Sequence, residues 1–188
     1  ILCDHFNIKV PETAEEWESI RVRFESKSQQ GVIRNCVGCL DGYFAKLDQP
    51  RNDDCDGAPR MYYSGHYNGF GLNVQAICDS RLKFWFFAVA GPGSVGDVNG
   101  FVKCNLHSII DSLPEGLFVA ADAAYILSEK LVVPYTGSQR ENPDKDAFNF
   151  YLSQLRIRIE MAFGLLTTKF CILRKNLQTK LLKTSMIL

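Results

Sequence analysis

The sequence predicts an α/β domain, and three observations carry that expectation. Two apolar, β-rich stretches, GVIRNCVGCLDGYFAKL and LFVAADAAY, contain Asp41 and Asp122, each directly after a buried-looking run. Residues 61–78 and 82–90 read as two strands joined at Asp79-Ser80-Arg81. Residues 146–166, DAFNFYLSQLRIRIEMAFGLL, repeat apolar side chains at helical spacing. With 188 residues and 46% hydrophobic content, the chain suits one domain with a real core.

Residues 11–26 predict an amphipathic packing helix, opened by Pro11 and burying Trp17, Ile20 and Phe24. In the next segment Val37, Cys39 and Asp41 share one face of a strand and Leu40 takes the other. Asp41-Gly42 suits either a hairpin turn or a central strand that carries a carboxylate. Residues 49–60 are polar and hold two prolines and a glycine, so they predict a surface loop. In the first strand of the following pair, Leu72, Val74, Ala76 and Cys78 alternate with Asn73 and Gln75; the second is nearly all apolar and is expected to be central. A helix is expected over Phe101–Leu113, then the buried strand before Asp122, then an irregular connection over Leu131–Arg140. Asp144 or Asp146 is the expected cap of the last helix.

That helix has two stripes. Phe148, Leu152, Leu155, Ile159, Phe163 and Leu166 form the apolar one; Asn149, Ser153, Arg156, Glu160 and Gly164 run beside it, with Gln154 and Arg158 towards solvent. Glu160 thus falls at the rim of the core, where a carboxylate needs a cation or a partner. An Arg156–Glu160 pair would supply the partner, and a metal ion would supply the cation.

Other patterns point to less. The 21 basic and 21 acidic residues balance, so no global charge advertises nucleic acid. After Glu160 the only charges are Lys169, Arg174, Lys175, Lys180 and Lys183, a solvated surface or a phosphate-facing patch. Seven cysteines without a framework suit a reducing compartment, and no run predicts a signal peptide or a membrane span. Cys36-x-x-Cys39, with Cys55 or His66, invites a zinc reading, but there is no second CxxC and buried thiols are ordinary core residues, which is the preferred reading. Tyr62, Tyr63, His66 and Tyr67 could stack on bases, although aromatic residues are ordinary strand formers. Gly91–Gly96 fits a dinucleotide fingerprint, yet it follows the second arm of a hairpin and is followed at once by Asp97, which would repel a pyrophosphate.

Asp41 and Asp122, if their strands are parallel neighbours, lie side by side and repel unless they share a proton or a metal. Two strand-borne acids and a helix-borne one are the ingredients of a two-metal phosphoryl-transfer site. Four segments in order then resemble the nuclease domain of Harbinger-type DDE transposases, the DDE superfamily endonucleases. They are GCLDGYFAKLDQP, NVQAICDSRLKFWFFAVAGPGSVGD, ADAAYILSEKLVVPY and FNFYLSQLRIRIEMAFGLLTTKFCIL, the last similar to the family's N-x-x-x-S-x-x-R-x-x-x-E-x-x-x-G helix. The resemblance implies a ribonuclease-H-like fold, a mixed β-sheet flanked by helices, with Asp41, Asp122 and Glu160 as catalytic metal ligands for Mg²⁺ or Mn²⁺. Asp97, at the end of the family's Gly-Ser-x-x-Asp loop, and Arg156 are auxiliary candidates; Gly96 stands where the family often has His.

The resemblance further implies cleavage of DNA at transposon ends, joining of 3′ ends to target DNA, a nuclear location, a Myb-like DNA-binding partner protein and a homo-oligomer. A domesticated or inactive DNA-associated regulator is the alternative. The expected organisation is a helical lead-in over 1–30, a nuclease domain over 31–175 and a basic tail over 176–188. The start at Ile1 and the apolar SMIL ending predict a fragment of a longer protein.

Overall fold

A computed structural model describes residues 8–55 and 57–178. Helix α1 (Ala14–Glu25) begins at Thr13, whose hydroxyl accepts from the Glu16 N–H while the Glu16 carboxylate accepts from the Thr13 N–H. This capping box places the first helical residue, Ala14, three positions after the expected Pro11, because the reciprocal bonds satisfy backbone N–H groups that the first turn of a helix leaves open. Trp17, Ile20 and Phe24 are buried as the spacing predicts, and Trp17 meets Trp85 edge-on at 5.7 Å.

The sheet is built around β1 (Cys36–Lys46), which runs unbroken through Asp41-Gly42. Of the two readings of that dipeptide, the central strand is the one found. On one side β1 pairs antiparallel with β3 (Gly69–Cys78); on the other it pairs parallel with β5 (Phe118–Ala120), which in turn pairs parallel with β6 (Leu131–Val132). The short β2 (Tyr63–Ser64) and the longer β4 (Phe84–Pro92) both pair with β3. The result is a six-stranded mixed sheet flanked by helices, compatible with the expected ribonuclease-H-like fold.

Several local expectations change. β4 is an edge strand, not a central one: its apolar content serves its faces. Trp85 is buried under α1 and Phe84 packs 5.8 Å from Phe163, while Val89 is 51% exposed. The single helix expected over Phe101–Leu113 is two, α2 (Asp97–Lys103) and α3 (Leu106–Asp111), separated at Asn105, whose left-handed φ of 52° ends one helix before the next begins. β6 lies inside the expected irregular connection; a two-residue strand is too short to show a period.

Helix α4 (Pro143–Lys169) is capped by Asn142, which accepts from the Asp144 N–H at 2.9 Å; Pro143 takes the first helical position. Asp144 and Asp146, the expected caps, sit in the first turn, where they favour the helix dipole. Leu152, Leu155, Ile159, Ala162 and Phe163 are buried against the sheet, so the apolar stripe is as predicted. Cys36 and Cys39 are buried, and their thiols donate to Gly38 O and Leu155 O. Leu177 returns to the end of β1, exchanging backbone bonds with Lys46 and Asp48. Lys180 and Lys183 of the basic tail lie outside the described residues.

Candidate active site

The parallel ladder between β1 and β5 reaches as far as Cys39 opposite Ala120. Asp41 and Asp122 each follow two residues later, so parallel register sets the two acids side by side where β5 leaves β1. β1 itself continues to Lys46, held from the other side by β3. Functional groups of α/β sheets gather at such carboxyl ends of parallel strands.

The two faces of β1 then do different things. Cys39 and Tyr43 look towards α4, since Cys39 donates to Leu155 O and the Tyr43 ring lies 5.2 Å from Phe163. Asp41 alternates with them onto this face. Gly38 and Gly42 take the opposite face, where a Cβ on Gly38 would meet Ile77 and Trp85, and one on Gly42 would overlap the carboxyl of Asp97. Gly42 is therefore required by a close approach within the strand, not by a turn.

Asp41 is half-buried and accepts from the Gly42 N–H at 2.8 Å. Burial pushes its carboxyl up to about 6; the Gly42 N–H opposes this, the charge of Asp122 adds to it, Arg156 opposes and Asp97 adds. Asp122, also half-buried, closes an Asx turn by accepting from the Ala124 N–H at 2.8 Å. Burial raises the hydroxyls of Tyr67 and Tyr125, and in both cases Asp97, Asp41 and Asp122 raise them further. The three aspartates thus act as one negative field.

Asp97 is the first residue of α2. Its Oδ1 accepts from Asn73 Nδ2 at 3.0 Å and from Gln75 Nε2 at 3.3 Å. Gln75 Nε2 also donates to Asn73 Oδ1, and the Tyr125 hydroxyl donates to Gln75 Oε1 at 2.8 Å. Asn73, Gln75 and Tyr125 are all at least 94% buried, at 6%, 0% and 5% exposure. Sequence reasoning missed this network because alternation separates the two amides from the apolar set without saying what they meet. The signal was there in weak form: amides inside an otherwise apolar strand must find partners when both faces are covered.

Helix α4 brings Arg156 to the site and carries Glu160 four residues further on. Arg156 is half-buried, acts electrostatically on Asp41, and has an Nε that is buried and unpartnered among the described residues. It also lines a groove of about 540 Å³ with Tyr135, Arg140, Asn149 and Ser153. Asn149 clamps this groove's wall, accepting from the Tyr135 N–H and donating to the Tyr135 carbonyl at 2.8 and 2.9 Å. Glu160 is exposed, beyond the core rim where it was expected, and among the described residues its carboxyl makes no hydrogen bond or ion pair. The intrahelical pair with Arg156 is not formed. Gln154 and Arg158, expected towards solvent, are half-buried.

As a donor set, Asp41 and Asp122 fit a hard divalent cation: they are adjacent oxygen ligands with excess negative charge, and such an ion needs only one or two protein carboxylates beside water and phosphate. Among the described residues no three His, Cys, Asp or Glu side chains are grouped closely enough to hold one ion together. The residues weighed for other chemistry have structural partners. Tyr67 stacks on Phe44 at 4.3 Å, and Tyr63 donates to Asn68 and packs on Phe70. Gly91–Gly96 begins in the last two residues of β4, the second arm of the antiparallel β3–β4 hairpin, which is not the βαβ setting a dinucleotide site requires.

Comparison with curated proteins and with solved structures returns no match. Comparison with protein families matches residues 40–188 to the DDE superfamily endonucleases, a span that opens one residue before Asp41 and contains Asp97, Asp122, Arg156 and Glu160. A match over most of the chain, on a sheet whose parallel strands bring two of the acids together, establishes that the chain belongs to the DDE superfamily endonucleases.

Proposed function

We propose that this chain is the catalytic core of a Harbinger-type transposase, a divalent-metal-dependent DNA endonuclease that cuts at transposon ends and joins the freed 3′ ends to target DNA. The observation that carries the reading is the juxtaposition of Asp41 and Asp122 by parallel register, in a family of endonucleases. Asp41, Asp122 and Glu160 would hold the metal, Mg²⁺ with Mn²⁺ as a substitute. When bound, it supplies Lewis-acid stabilisation of phosphoryl charge and a more acidic water.

The chain's own residues prepare that step. Asp41, raised to about 6, is ionised at neutral pH and shares its negative field with Asp122 and Asp97, which favours a cation over a shared proton. Arg156 offsets that charge from the α4 side and is the candidate contact to a phosphate oxygen. In the first reaction a water oxygen bonds to phosphorus and the P–O3′ bond breaks, leaving a 3′ hydroxyl and a 5′ phosphate. In the second, that hydroxyl attacks a target phosphodiester and a 3′ oxygen of the target departs. A nuclear location, a Myb-like DNA-binding partner and self-association belong to the same proposal.

A second reading, a domesticated or inactive DNA-associated regulator, is favoured by one observation: Glu160 is exposed and, among the described residues, unpaired. The test is nicking of supercoiled and terminal-repeat DNA in Mg²⁺ or Mn²⁺ by the full-length parent protein with its partner. Cleavage abolished by Asp41→Ala, Asp122→Ala and Glu160→Ala supports the nuclease. Cleavage surviving these changes overturns the site, and a folded wild type with no cleavage favours the regulator.

A further inference from the structure

Asp122 lies beyond the last residue of β5, so the ladder that aligns the two strands does not itself hold this acid. Its Asx turn is local and sets only the shape of the segment. On its near side Ala121 donates its N–H to Val132 O of β6 at 2.8 Å; on its far side the tie to the sheet is Tyr125, three residues on, whose hydroxyl donates to Gln75 Oε1 on β3. On β1 the register partner of Gln75 is Gly42. With no side chain there, the Gln75 amide and the Asp97 carboxyl lie over the strand, and a Cβ would meet both. Gly100 of α2 gives similar clearance, since its Cβ would meet Asn73 Oδ1 at 2.8 Å and Gln75 Nε2 at 3.0 Å.

The hydrogen-bond polarity admits one arrangement. Gln75 Oε1 accepts from Tyr125, so its Nε2 must donate, and its two hydrogens go to Asn73 Oδ1 and Asp97 Oδ1. Asn73 Nδ2 likewise donates to Val95 O and Asp97 Oδ1. Both amides are thus fixed in orientation, and the acceptor they converge on is a carboxylate. The chain of bonds spans the segment after β5, strand β3 and the start of α2, three parts of the sequence with no local connection.

From this geometry we infer that Gln75 and Tyr125 are positioning residues for the acidic site: a buried Tyr125–Gln75–Asp97 strut, laid over Gly42, holds Asp122 in register with Asp41. The inference rests on the nuclease reading for its purpose and on the hydrogen bonds for its form. Loss of the strut lets the Asp122 turn drift while β1 stays in place, so the cost falls on cation binding and not on the fold or on DNA affinity. Partners that orient metal ligands typically alter metal affinity by roughly 10–100-fold when removed.

The test uses the full-length protein and Tyr125→Phe, which deletes one hydroxyl, with Gln75→Leu as the stronger change. Phe24→Leu, in the core on α1, controls for general destabilisation. The primary readout is the Mg²⁺ or Mn²⁺ concentration that half-saturates the cation-induced rise in Tm; DNA affinity by anisotropy and nicking rate are read alongside. The expected result is a half-saturating concentration at least about tenfold higher in Tyr125→Phe and Gln75→Leu, with DNA affinity within twofold and Phe24→Leu unchanged in cation response. An unaltered cation midpoint in folded Tyr125→Phe overturns the strut while leaving the nuclease reading intact. A midpoint shifted equally by Phe24→Leu also overturns it, because the effect is then general. A wild type whose Tm ignores both cations and which cuts no DNA overturns the nuclease reading and the strut's purpose together.

Discussion

The carboxyl half of β1 and the middle of α4 each present an acid, and they hold it in opposite ways. Asp41 sits on a central strand with its backbone paired, its carboxylate capped by the Gly42 N–H and its pKa raised by burial and, less, by Asp122 and Asp97. Glu160 projects from a helix into solvent, without a partner among the described residues. Strand register fixes the first to within a hydrogen bond; helix rotation fixes only the direction of the second, because a long side chain on an exposed face keeps its rotamers. The site is therefore prepared on the sheet and completed, in our proposal, from the helix when a cation and phosphate arrive.

The largest effect should break the comparison on the functional side. Asp41→Ala and Glu160→Ala are both expected to lower metal-dependent nicking by roughly three orders of magnitude, the scale of losing a principal charge-stabilising group. Equal losses from acids so differently held would show that Glu160 joins the site only in the loaded state. Normal nicking by Glu160→Ala would confine the chemistry to the strand acids.

Stability should separate them. Asp41 has its folded pKa, about 6, above its ordinary value of 3.8, so its protonated form is the one the fold favours. That stabilisation is complete below pH 3.8 and is lost as pH rises through 6. In the metal-free protein, Asp41→Asn is accordingly expected to be more stable at pH 8 by about 2–3 kcal/mol at most, with the gain gone near pH 3.5. Urea unfolding across that range checks it, and a pH-independent difference would contradict the raised pKa. Metal binding should in turn strengthen as pH rises through about 6, since the ion must compete with a proton.

Gly42→Ala should cost about 1–3 kcal/mol, because the new Cβ enters the space of the Asp97 carboxyl and something in a packed site must move. A neutral result would mean that the Asp97 loop can withdraw freely. The smallest effect belongs to the helix: Glu160→Gln should leave urea stability within about 0.5 kcal/mol at any pH from 4 to 8, as for other exposed changes. A larger change would reveal an ion pair for Glu160 in solution.

Much of the fold could be read from residue order. The apolar stripe of α4, the buried face of α1, the β3–β4 hairpin and the apolar runs before Asp41 and Asp122 are periodic or continuous enough to announce themselves. The errors share a cause. β4 looked central because apolar content was read as burial from both edges, whereas an edge strand can spend it on its faces. The partners of Asn73 and Gln75 went unread because alternation reports that two sets of side chains diverge, not which set meets water. Asp41-Gly42 carried two meanings, and only the position of Asp97 distinguishes a turn glycine from a clearance glycine.

The sequence by itself determined which acids exist, which of them follow buried strands, and that a long amphipathic helix carries Arg156 and Glu160 on one flank. These are properties of local pattern, set by the two-residue and 3.6-residue periods of the backbone. Tertiary structure alone decided that Asp41 and Asp122 are neighbours, that Asp97 rests over Gly42 on a lattice of buried amides, and that Glu160 stands in solvent. Each of these depends on parallel register or on packing between segments far apart in the chain, and no local period encodes which distant side chain will fill the space above a glycine.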